Sequence, residues 1–268
     1  MKLLVTGGAG YLGSEVCRQA VELGHDVVAT GLDTEPPYGR AARLDVRDED
    51  ATGDVFMSHG PEVVVHTAYR LNGPEMELTI VRGSRSVALN ARRCGARLIH
   101  MSTDLVFDGE DGAPYREDAE LRPVSPYGVA KARAEELVRA VAPEALLVRT
   151  SVLYGKAEPG PQEELAFSDI DFYTDEIRCP TVVSDLASAL LELAARSDVS
   201  GPLHVAAAEA ASRYEFARLL RAAHGLDPET VRGAPSPGTG RARNVALDST
   251  RAAALLATRL RGVREVVK

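Results

Sequence analysis

The feature that most constrains the fold is a regular alternation of short apolar runs with helical patterns, which extends from the first residue to Ser151. Five of these runs, KLLVT, DVVAT, EVVVHTA, RLIHMS and ALLVRTS, are mostly apolar and largely β-branched. Strands of this kind, separated from one another by helices, are typical of a parallel sheet that is covered on both faces. The alternation therefore predicts an α/β fold with a Rossmann-type doubly wound parallel sheet.

The alternation weakens after the last of these runs. Residues 153–180 are rich in Gly, Pro and acidic residues, whereas SDLASALLELAARS and SRYEFARLLRAAHG predict helices, the second of them capped by Ser212. We therefore expect residues 1–152 to form the Rossmann domain and residues 181–207 to return to it. Residues 153–180 and 208–268 are expected to form a smaller C-terminal substrate-binding lobe.

Composition excludes several classes of protein. The formal net charge is −8, which argues against a nucleic-acid partner. Cys17, Cys94 and Cys179 are widely spaced and form no CxxC or Cys/His arrangement, so we expect neither a disulfide framework nor a metal site. The opening MKLLVT is too short for the apolar part of a signal peptide, and no later run is long enough to cross a bilayer. We expect a cytoplasmic protein without a membrane partner.

A glycine-rich turn, TGGAGYLG, follows the first strand and opens the first helix, with glycines at Gly7, Gly10 and Gly13. Small residues at such a turn let the backbone approach a pyrophosphate, whose charge then meets the N-terminus of the helix. A merely structural turn is the alternative. The strand before the turn and the helix after it are the context that a dinucleotide site requires. The sequence therefore predicts NAD or NADP as the cofactor.

The choice between the two cofactors is left open. Asp33 lies twenty positions beyond Gly13, near the spacing of a carboxylate that binds the adenosine ribose, which favours NAD. Arg40 or Arg43 could instead reach a 2′-phosphate, which would favour NADP. Asp45 and Val46 are expected to close the third strand beside the adenine, with a capped strand end as the alternative reading.

The stretch SPYGVAKARAEE places Tyr127 and Lys131 one helical turn apart, and Pro126 favours the start of a helix. The chain has only four lysines among its 31 basic residues, together with eight tyrosines. Random placement would give roughly 0.1 such pairs. An ammonium, unlike a guanidinium, has an adjustable pKa, so the pair indicates a chemical task rather than a solvated helix face.

Thr103 is a further candidate, although Thr is common at strand ends and Asp104 could simply cap a turn. The segment MSTDLVFDG follows the fifth strand and brings the Thr103 hydroxyl to the carboxyl edge of the sheet, where ligands bind in such folds. A phenol with an ordinary pKa near 10 is a poor proton donor to a ketone unless a nearby cation favours its ionised form. Lys131 would supply that cation to Tyr127.

The order and spacing of several blocks resemble the extended short-chain dehydrogenase/reductases, and within them the dTDP-4-dehydrorhamnose reductase-like group. The blocks are TGGAGYLG, MSTDLVFDG, SPYGVAKARAE, VRTSVLYG, CPTVVSDLASALLEL, GPLHVAAAEAASRYEFA and RNVALDSTRAAALL. They cover nearly the whole chain. The resemblance implies Tyr127 as general acid, Lys131 as its partner and ribose ligand, and Thr103 as the hydroxyl that orients the substrate carbonyl.

The resemblance also implies the residues that surround these three. Beyond the glycines, Asp33, Asp45 and Val46, the cofactor is expected to contact Tyr11, Leu12, Thr67, Ala68, Tyr69, Ser102, Tyr127, Lys131, Thr150 and Ser151. The substrate is expected to contact Thr103, Asp104, Leu105, Val152 and Arg178. Arg178 and Arg213 are candidate phosphate ligands, although solvated arginines are the simpler interpretation of both.

The sequence departs from the family pattern in three places. Residues 73–89 contain no Asn, although short-chain enzymes often use one there to support the catalytic Lys through water. Val152 stands where the rhamnose reductases commonly have a Trp, and the chain has no Trp at all. The loop from Gly155 to Pro180 is also short for a segment that helps to hold the nucleotide.

The resemblance implies an NAD(P)H-dependent reductase of a ketone on a nucleotide-linked deoxysugar, with hydride from the nicotinamide and a proton from Tyr127. A sugar-nucleotide epimerase remains an alternative, because it uses the same Thr, Tyr and Lys. A non-catalytic regulatory module that binds the cofactor or a sugar nucleotide is a second alternative. Leu105 stands where dehydratases usually carry a catalytic Glu, which counts against dehydration. The sequence leaves a homodimer open.

Overall fold

The computed structural model describes residues 1–110, 114–156 and 158–267. The chain folds into two compact units, each of which contains several separate segments of the sequence. Unit 1 consists of residues 1–102, 129–148 and 187–203, and unit 2 of residues 103–128, 149–186 and 204–268. Residues 103–128, 149–152, 181–186 and 204–207 thus group with the second unit, whereas the sequence analysis assigned them to the Rossmann domain.

The strands and helices follow the predicted alternation. The strands are β1 Lys2–Thr6, β2 Asp26–Gly31, β3 Arg40–Arg43, β4 Val63–His66, β5 Arg97–Thr103, β6 Leu146–Thr150, β7 Leu153–Tyr154, β8 Asp171–Tyr173, β9 Ile177–Arg178, β10 Thr181–Val182, β11 Gly201–His204, β12 Ala211–Ser212 and β13 Arg232–Ala234. The α-helices are α1 Tyr11–Glu22, α2 Glu49–His59, α3 Gly83–Cys94, α4 Pro126–Val141, α5 Pro161–Phe167, α6 Val183–Ala194, α7 Arg213–Ala223, α8 Thr250–Leu255 and α9 Val263–Val266. A π-helix, Leu78–Arg82, precedes α3 directly.

A seven-stranded sheet with the order β11-β6-β5-β4-β1-β2-β3 confirms the predicted Rossmann-type fold. Neighbours from β3 across to β5 pair in parallel, as in Leu4 with Val28 and Leu4 with Val64. The order reverses direction between β1 and β4, and ligands of doubly wound sheets bind beyond the carboxyl ends of the strands at such a point.

Helix ends in unit 1 are set by local chemistry. Asp48 caps α2, because its side chain accepts hydrogen bonds from the backbone N–H groups of Asp50 and Ala51. Gly95 ends α3 in the left-handed conformation at φ 67°, which a residue with a Cβ rarely adopts. One face of the sheet and the inner faces of α2, α3 and α4 share an apolar core. Its buried members are Leu4, Val28, Leu44, Val46, Phe56, Val64, Val87, Ala88, Ala91, Leu98, Val138, Ala142, Ala145 and Leu147.

Unit 2 is built from short strand pairs and helices. Strand β7 pairs with β10 and β8 with β13 in parallel, whereas β9 and β12 are antiparallel. Ser212 caps α7 by accepting a hydrogen bond from the Glu215 backbone, as the sequence predicts. A separate apolar core includes Tyr154, Phe172, Phe216 and Leu220. Unit 2 therefore has an apolar core of its own.

Two histidines are buried within unit 1. His66 lies between hydroxyl groups, with Nδ1 2.6 Å from Thr6 Oγ1 and Nε2 3.2 Å from Ser84 Oγ. The His100 ring is fully buried, its centroid is 5.3 Å from that of His66, and neither of its nitrogens has a hydrogen-bond partner among the described residues. Burial lowers the pKa of His66 to about 3, helped by the charge of Lys131, and it holds the pKa of His100 well below its usual value. Both rings are therefore neutral at physiological pH.

We expect the free energy of unfolding to fall as the pH drops below about 6.5, because the unfolded chain then protonates both histidines and the folded chain resists doing so. The loss is about 1.4 kcal/mol per pH unit for each ring until the folded-state pKa is reached. Urea unfolding at about pH 7 and about pH 5 measures it. His100→Leu should reduce the pH dependence, and His224→Gln, at an exposed position, should leave it unchanged. Equal pH dependence in wild type and His100→Leu would contradict this account.

Candidate active site

The glycine turn leads from β1 into α1 and needs its glycines for close packing. Gly7 has φ 74°, and a Cβ there would lie 2.7 Å from the Ala68 backbone nitrogen. A Cβ on Gly13 would lie 2.2 Å from the Gly7 carbonyl oxygen. Gly10 provides no side-chain cap, and the first turn of α1 has no acidic residue. The helix N-terminus, with Tyr11 and Leu12 in its first turn, therefore offers backbone N–H groups and a positive dipole to an anion.

A cavity of about 320 Å³ lies beside this turn within unit 1. Eight residues predicted to bind the cofactor line it: Gly7, Gly10, Asp33, Asp45, Val46, Thr67, Ala68 and Tyr69. The uncapped helix N-terminus, the close-packed glycines and the Asp33 carboxylate fit the pyrophosphate and adenosine of a nicotinamide dinucleotide.

Ion pairs border this cavity. Arg70, which follows β4 and lines the cavity, has Nη2 3.3 Å from Asp33 Oδ2 and Nε 3.8 Å from Glu75 Oε2. Arg47 pairs with Asp45 and Glu75, each at 2.6 Å, and its hydrogen bonds lower the pKa of Asp45. Asp33, the carboxylate expected to bind the adenosine ribose, is thus paired with Arg70, which the sequence analysis did not identify.

Of the two arginines proposed from the sequence for a 2′-phosphate, Arg40 is engaged away from this cavity, whereas Arg43 contacts Leu32, which lines it. Arg40 pairs at 3.0 Å with Asp26, which starts β2 and lies at the opposite end from the carboxyl edge. Arg43 donates through Nε to the Leu32 carbonyl at 3.3 Å. The expectation for Arg40 was therefore wrong, because its parallel pairing with β2 puts it beside the start of that strand.

Helix α4 carries Tyr127 in its first turn and Lys131 one turn later. The Lys131 side chain is buried, its residue only 5% exposed, and Nζ donates to the Met101 carbonyl at 3.0 Å. The ammonium also lies 5.2 Å from the centroid of the Tyr69 ring. Burial lowers the pKa of Lys131 to about 8, against the charge of Glu135, which raises it. The amine is thus still largely protonated at neutral pH.

The end of β5 and the residues after it form a buried polar chain within unit 2. Thr103 Oγ1 donates to Asp104 Oδ1 at 3.1 Å and accepts from the Leu105 backbone N–H at 3.2 Å. Ser151 Oγ donates to Asp104 Oδ2 at 2.6 Å and accepts from the Cys179 backbone N–H at 3.1 Å. Burial raises the pKa of Asp104, opposed by the charge of Arg178 and by these hydroxyl donors. Thr103 is therefore held in place by its neighbours.

The two arginines proposed as phosphate ligands differ in their surroundings. Arg178 is buried, and its guanidinium donates to the carbonyl oxygens of Ile177, Ala242 and Arg243 at 2.8 to 2.9 Å. Its two terminal nitrogens are thus committed to the protein backbone, which does not favour the predicted substrate contact. Arg213 is half-buried and donates to Gln162 Oε1 at 2.6 Å. Burial lowers its pKa to about 10, with the charge of Arg178 as a second cause.

The remaining predicted residues lie near the ends of β5 and β6. Ser102 Oγ donates to Glu135 Oε1 at 2.5 Å, and the buried Thr150 hydroxyl has no hydrogen-bond partner among the described residues. Val152 packs against the apolar core of unit 2. Sequence reasoning missed Glu135, although its position one turn after Lys131 on a predicted helix was a usable signal.

A doubly wound sheet, a glycine turn opening its first helix, and Thr103, Tyr127 and Lys131 in this chain order define an extended short-chain dehydrogenase/reductase. A family model described as "RmlD substrate binding domain" matches residues 1–268. The chain belongs to this family, in the dTDP-4-dehydrorhamnose reductase-like group, as its sequence motifs indicated.

Individual relatives agree with this assignment. The dTDP-4-dehydrorhamnose reductase of Mycolicibacterium smegmatis is 33% identical over 100% of this chain and 84% of its own length. The crystal structure of a hypothetical dTDP-4-dehydrorhamnose reductase from Sulfolobus tokodaii has a TM-score of 0.84 and 26% identity, over 97% of this chain and 96% of that one. MoeE5 in complex with UDP-glucose and NAD has a TM-score of 0.85 and 25% identity, over 99% and 95% of the two chains. Within the part of the chain that the structure describes, no helix is long and apolar enough to cross a membrane.

The Arg70–Asp33 pair should set the balance between NADH and NADPH. Arg70→Ala leaves the Asp33 charge uncompensated, so it should repel a 2′-phosphate and shift the ratio of the two dissociation constants towards NADH by about tenfold, the effect of one charge-assisted hydrogen bond. Asp33→Asn should shift the ratio the other way. Fluorescence titration with each cofactor measures both constants, and Arg93→Ala, on the exposed side of α3, is the control. An unchanged ratio in both variants would refute this role.

Proposed function

We propose that this protein is an NAD(P)H-dependent reductase of a ketone on a nucleotide-linked deoxysugar. The observation that carries the proposal is Lys131, a buried lysine placed one helical turn after Tyr127 and held against the end of the strand that bears Thr103. The bound cofactor supplies the hydride to the carbonyl carbon. Tyr127 donates the proton to the carbonyl oxygen.

Each of the three residues has a defined task in this proposal. The positive charge of Lys131 favours the ionised phenol of Tyr127 and so makes it a better acid near neutral pH. The Thr103 hydroxyl accepts from the Leu105 backbone N–H and orients the substrate carbonyl by turning its single hydrogen from Asp104 to the carbonyl oxygen. Ser102, Thr150 and Ser151 stay predicted cofactor contacts at the ends of β5 and β6.

The substrate class is supported by the relatives. The Mycolicibacterium smegmatis relative is named for the reduction of a dTDP-linked keto sugar, and the MoeE5 structure holds UDP-glucose with NAD. We assign the substrate lobe to unit 2, where Asp104, Leu105 and Val152 lie and where Arg213 is the more accessible of the two candidate phosphate ligands. A cytoplasmic location is part of the proposal, and the homodimer stays a prediction.

The two alternative functions, an epimerase and a regulatory module, would each give a different experimental result. An epimerase would use the same three residues but needs an oxidised cofactor that it retains, so it would be purified with bound nucleotide. A regulatory module is favoured by one observation, the absence of Asn from residues 73–89. Such a module would bind cofactor without turning over any substrate.

Tyr127→Phe separates the enzyme from the module. We expect kcat for the oxidation of NADPH or NADH by dTDP-linked 4-keto-6-deoxy sugars to fall by about 10²- to 10⁴-fold, because the variant lacks the proton donor. Absorbance of the reduced cofactor measures the rate. The dissociation constant of the cofactor should change little, and Tyr38→Phe, at an exposed position, should behave as wild type. Failure of the wild type to consume any keto sugar of the panel would sink the reductase proposal.

A further inference from the structure

A second buried charge accompanies Lys131. Glu135 lies on α4 one turn after Lys131, and its residue is only 2% exposed. It lies on the side of the helix that buries Ala134 and Val138, where an apolar side chain would be the ordinary choice, whereas Glu136 beside it is exposed. Burying a carboxylate is unfavourable unless it is paired or hydrogen-bonded. The position of Glu135 therefore calls for a partner and a task.

Strand β5 provides contacts to both charged side chains from consecutive residues. The Met101 carbonyl accepts from Lys131 Nζ at 3.0 Å, and the Ser102 hydroxyl donates to Glu135 Oε1 at 2.5 Å. The strand and the helix thus fix the ammonium and the carboxylate in one rigid frame. Ser102 and Glu135 contribute a short, charge-assisted hydrogen bond to it.

The two histidines and the tyrosine near Lys131 carry no negative charge. Burial and the Lys131 charge keep His66 and His100 neutral. The Tyr69 ring offers only the weak attraction of its face. The charge of Glu135 raises the pKa of Lys131 against the effect of burial. Glu135, one helical turn from Lys131, is thus a counter-charge that favours the protonated amine near neutral pH.

We propose that Glu135, held by Ser102, is a positioning residue that keeps Lys131 charged and in register with Tyr127. It supports Lys131 by charge, in a chain whose residues 73–89 lack the Asn that often supports this Lys through water in short-chain enzymes. The proposal rests on the reductase function above. It adds that a carboxylate of this chain, Glu135, supports the catalytic Lys131. With Glu135 in this role, the chain can be an active enzyme although it lacks that Asn.

The charge state of Lys131 can be followed without any substrate. The chain has only four lysines, so the ¹³Cε signals of labelled lysine form a simple spectrum in which Lys131→Arg identifies the signal of Lys131. In wild type this signal should titrate near pH 8. In Glu135→Gln, which keeps the size of the side chain and removes its charge, the midpoint should fall by about one pH unit or more. Glu136→Gln is the matched control and should leave it unchanged.

Activity supplies the second readout. Glu135→Gln should lower kcat by about twofold at about pH 7 and by about fivefold at about pH 8, which are the losses of protonated Lys131 when its midpoint falls from about 8 to about 7. The activity should recover as the pH is lowered and Lys131 is protonated again. A variant that is merely misfolded would not recover on acidification. Ser102→Ala should also lower the Lys131 titration midpoint, but by less than Glu135→Gln. If Glu135→Gln does not fold, Ser102→Ala is the variant used for the test.

The outcomes are distinguishable. An unchanged Lys131 midpoint in folded Glu135→Gln, or in Ser102→Ala if only that variant folds, would overturn the assignment of Glu135, whatever the enzyme reduces. A lowered midpoint in a protein that reduces no keto sugar would support the assignment and count against the reductase function instead.

Discussion

The site depends on one electrostatic constraint, the ammonium of Lys131 held out of water at the end of β5. A buried cation is tolerated only when nearby dipoles and opposite charges replace its hydration shell. In this chain the Met101 carbonyl, the Tyr69 ring and Glu135 act on it. Met101 belongs to β5 and Glu135 to α4, whereas Tyr69 lies in the segment that follows β4. Because strand and helix are rigid, the spacing from Lys131 to Tyr127 is set by helical geometry rather than by a mobile loop.

The adenosine side of the site uses electrostatics of another kind. There the positive potential comes from backbone N–H groups at an uncapped helix N-terminus, which need no side chain. Paired side chains at the surface, Asp33 with Arg70 and Asp45 with Arg47, complete the rim. These pairs are partly exposed, so their contribution to stability is small, and we expect them to act on the choice of ligand instead. Stability and selectivity are thus assigned to different residues.

The sequence predicted the features that depend on local patterns. Strand composition and the glycine turn predicted the sheet and the first helix, and the Tyr127–Lys131 spacing placed both residues on one helix. Contacts between distant segments were harder. Arg70 and Asp33 meet because they follow β4 and β2, which are the two neighbours of β1 in the sheet. Arg40 lies away from the site because the strand register places it beside the start of β2. Glu135 looked like one of several acids on a helix until burial distinguished it from Glu136. Propensity and motif describe neighbours along the chain, whereas register and burial are decided by the whole fold.

The guanidinium of Arg178 has a practical consequence for anyone dissecting substrate recognition. It joins β9 to residues 242 and 243 through the backbone carbonyl groups of those two residues, so it works as a cross-link between two segments far apart in sequence. Truncating it would remove these hydrogen bonds and leave the backbone hydrogen bonds from Ile177 to Arg243 and from Val245 to Ile177 to hold the two segments together. The resulting loss of substrate affinity would look like a missing phosphate contact while arising from a displaced backbone. Scanning mutagenesis of this lobe therefore gives a true map of the ligand only when each variant's folding stability is measured alongside its affinity.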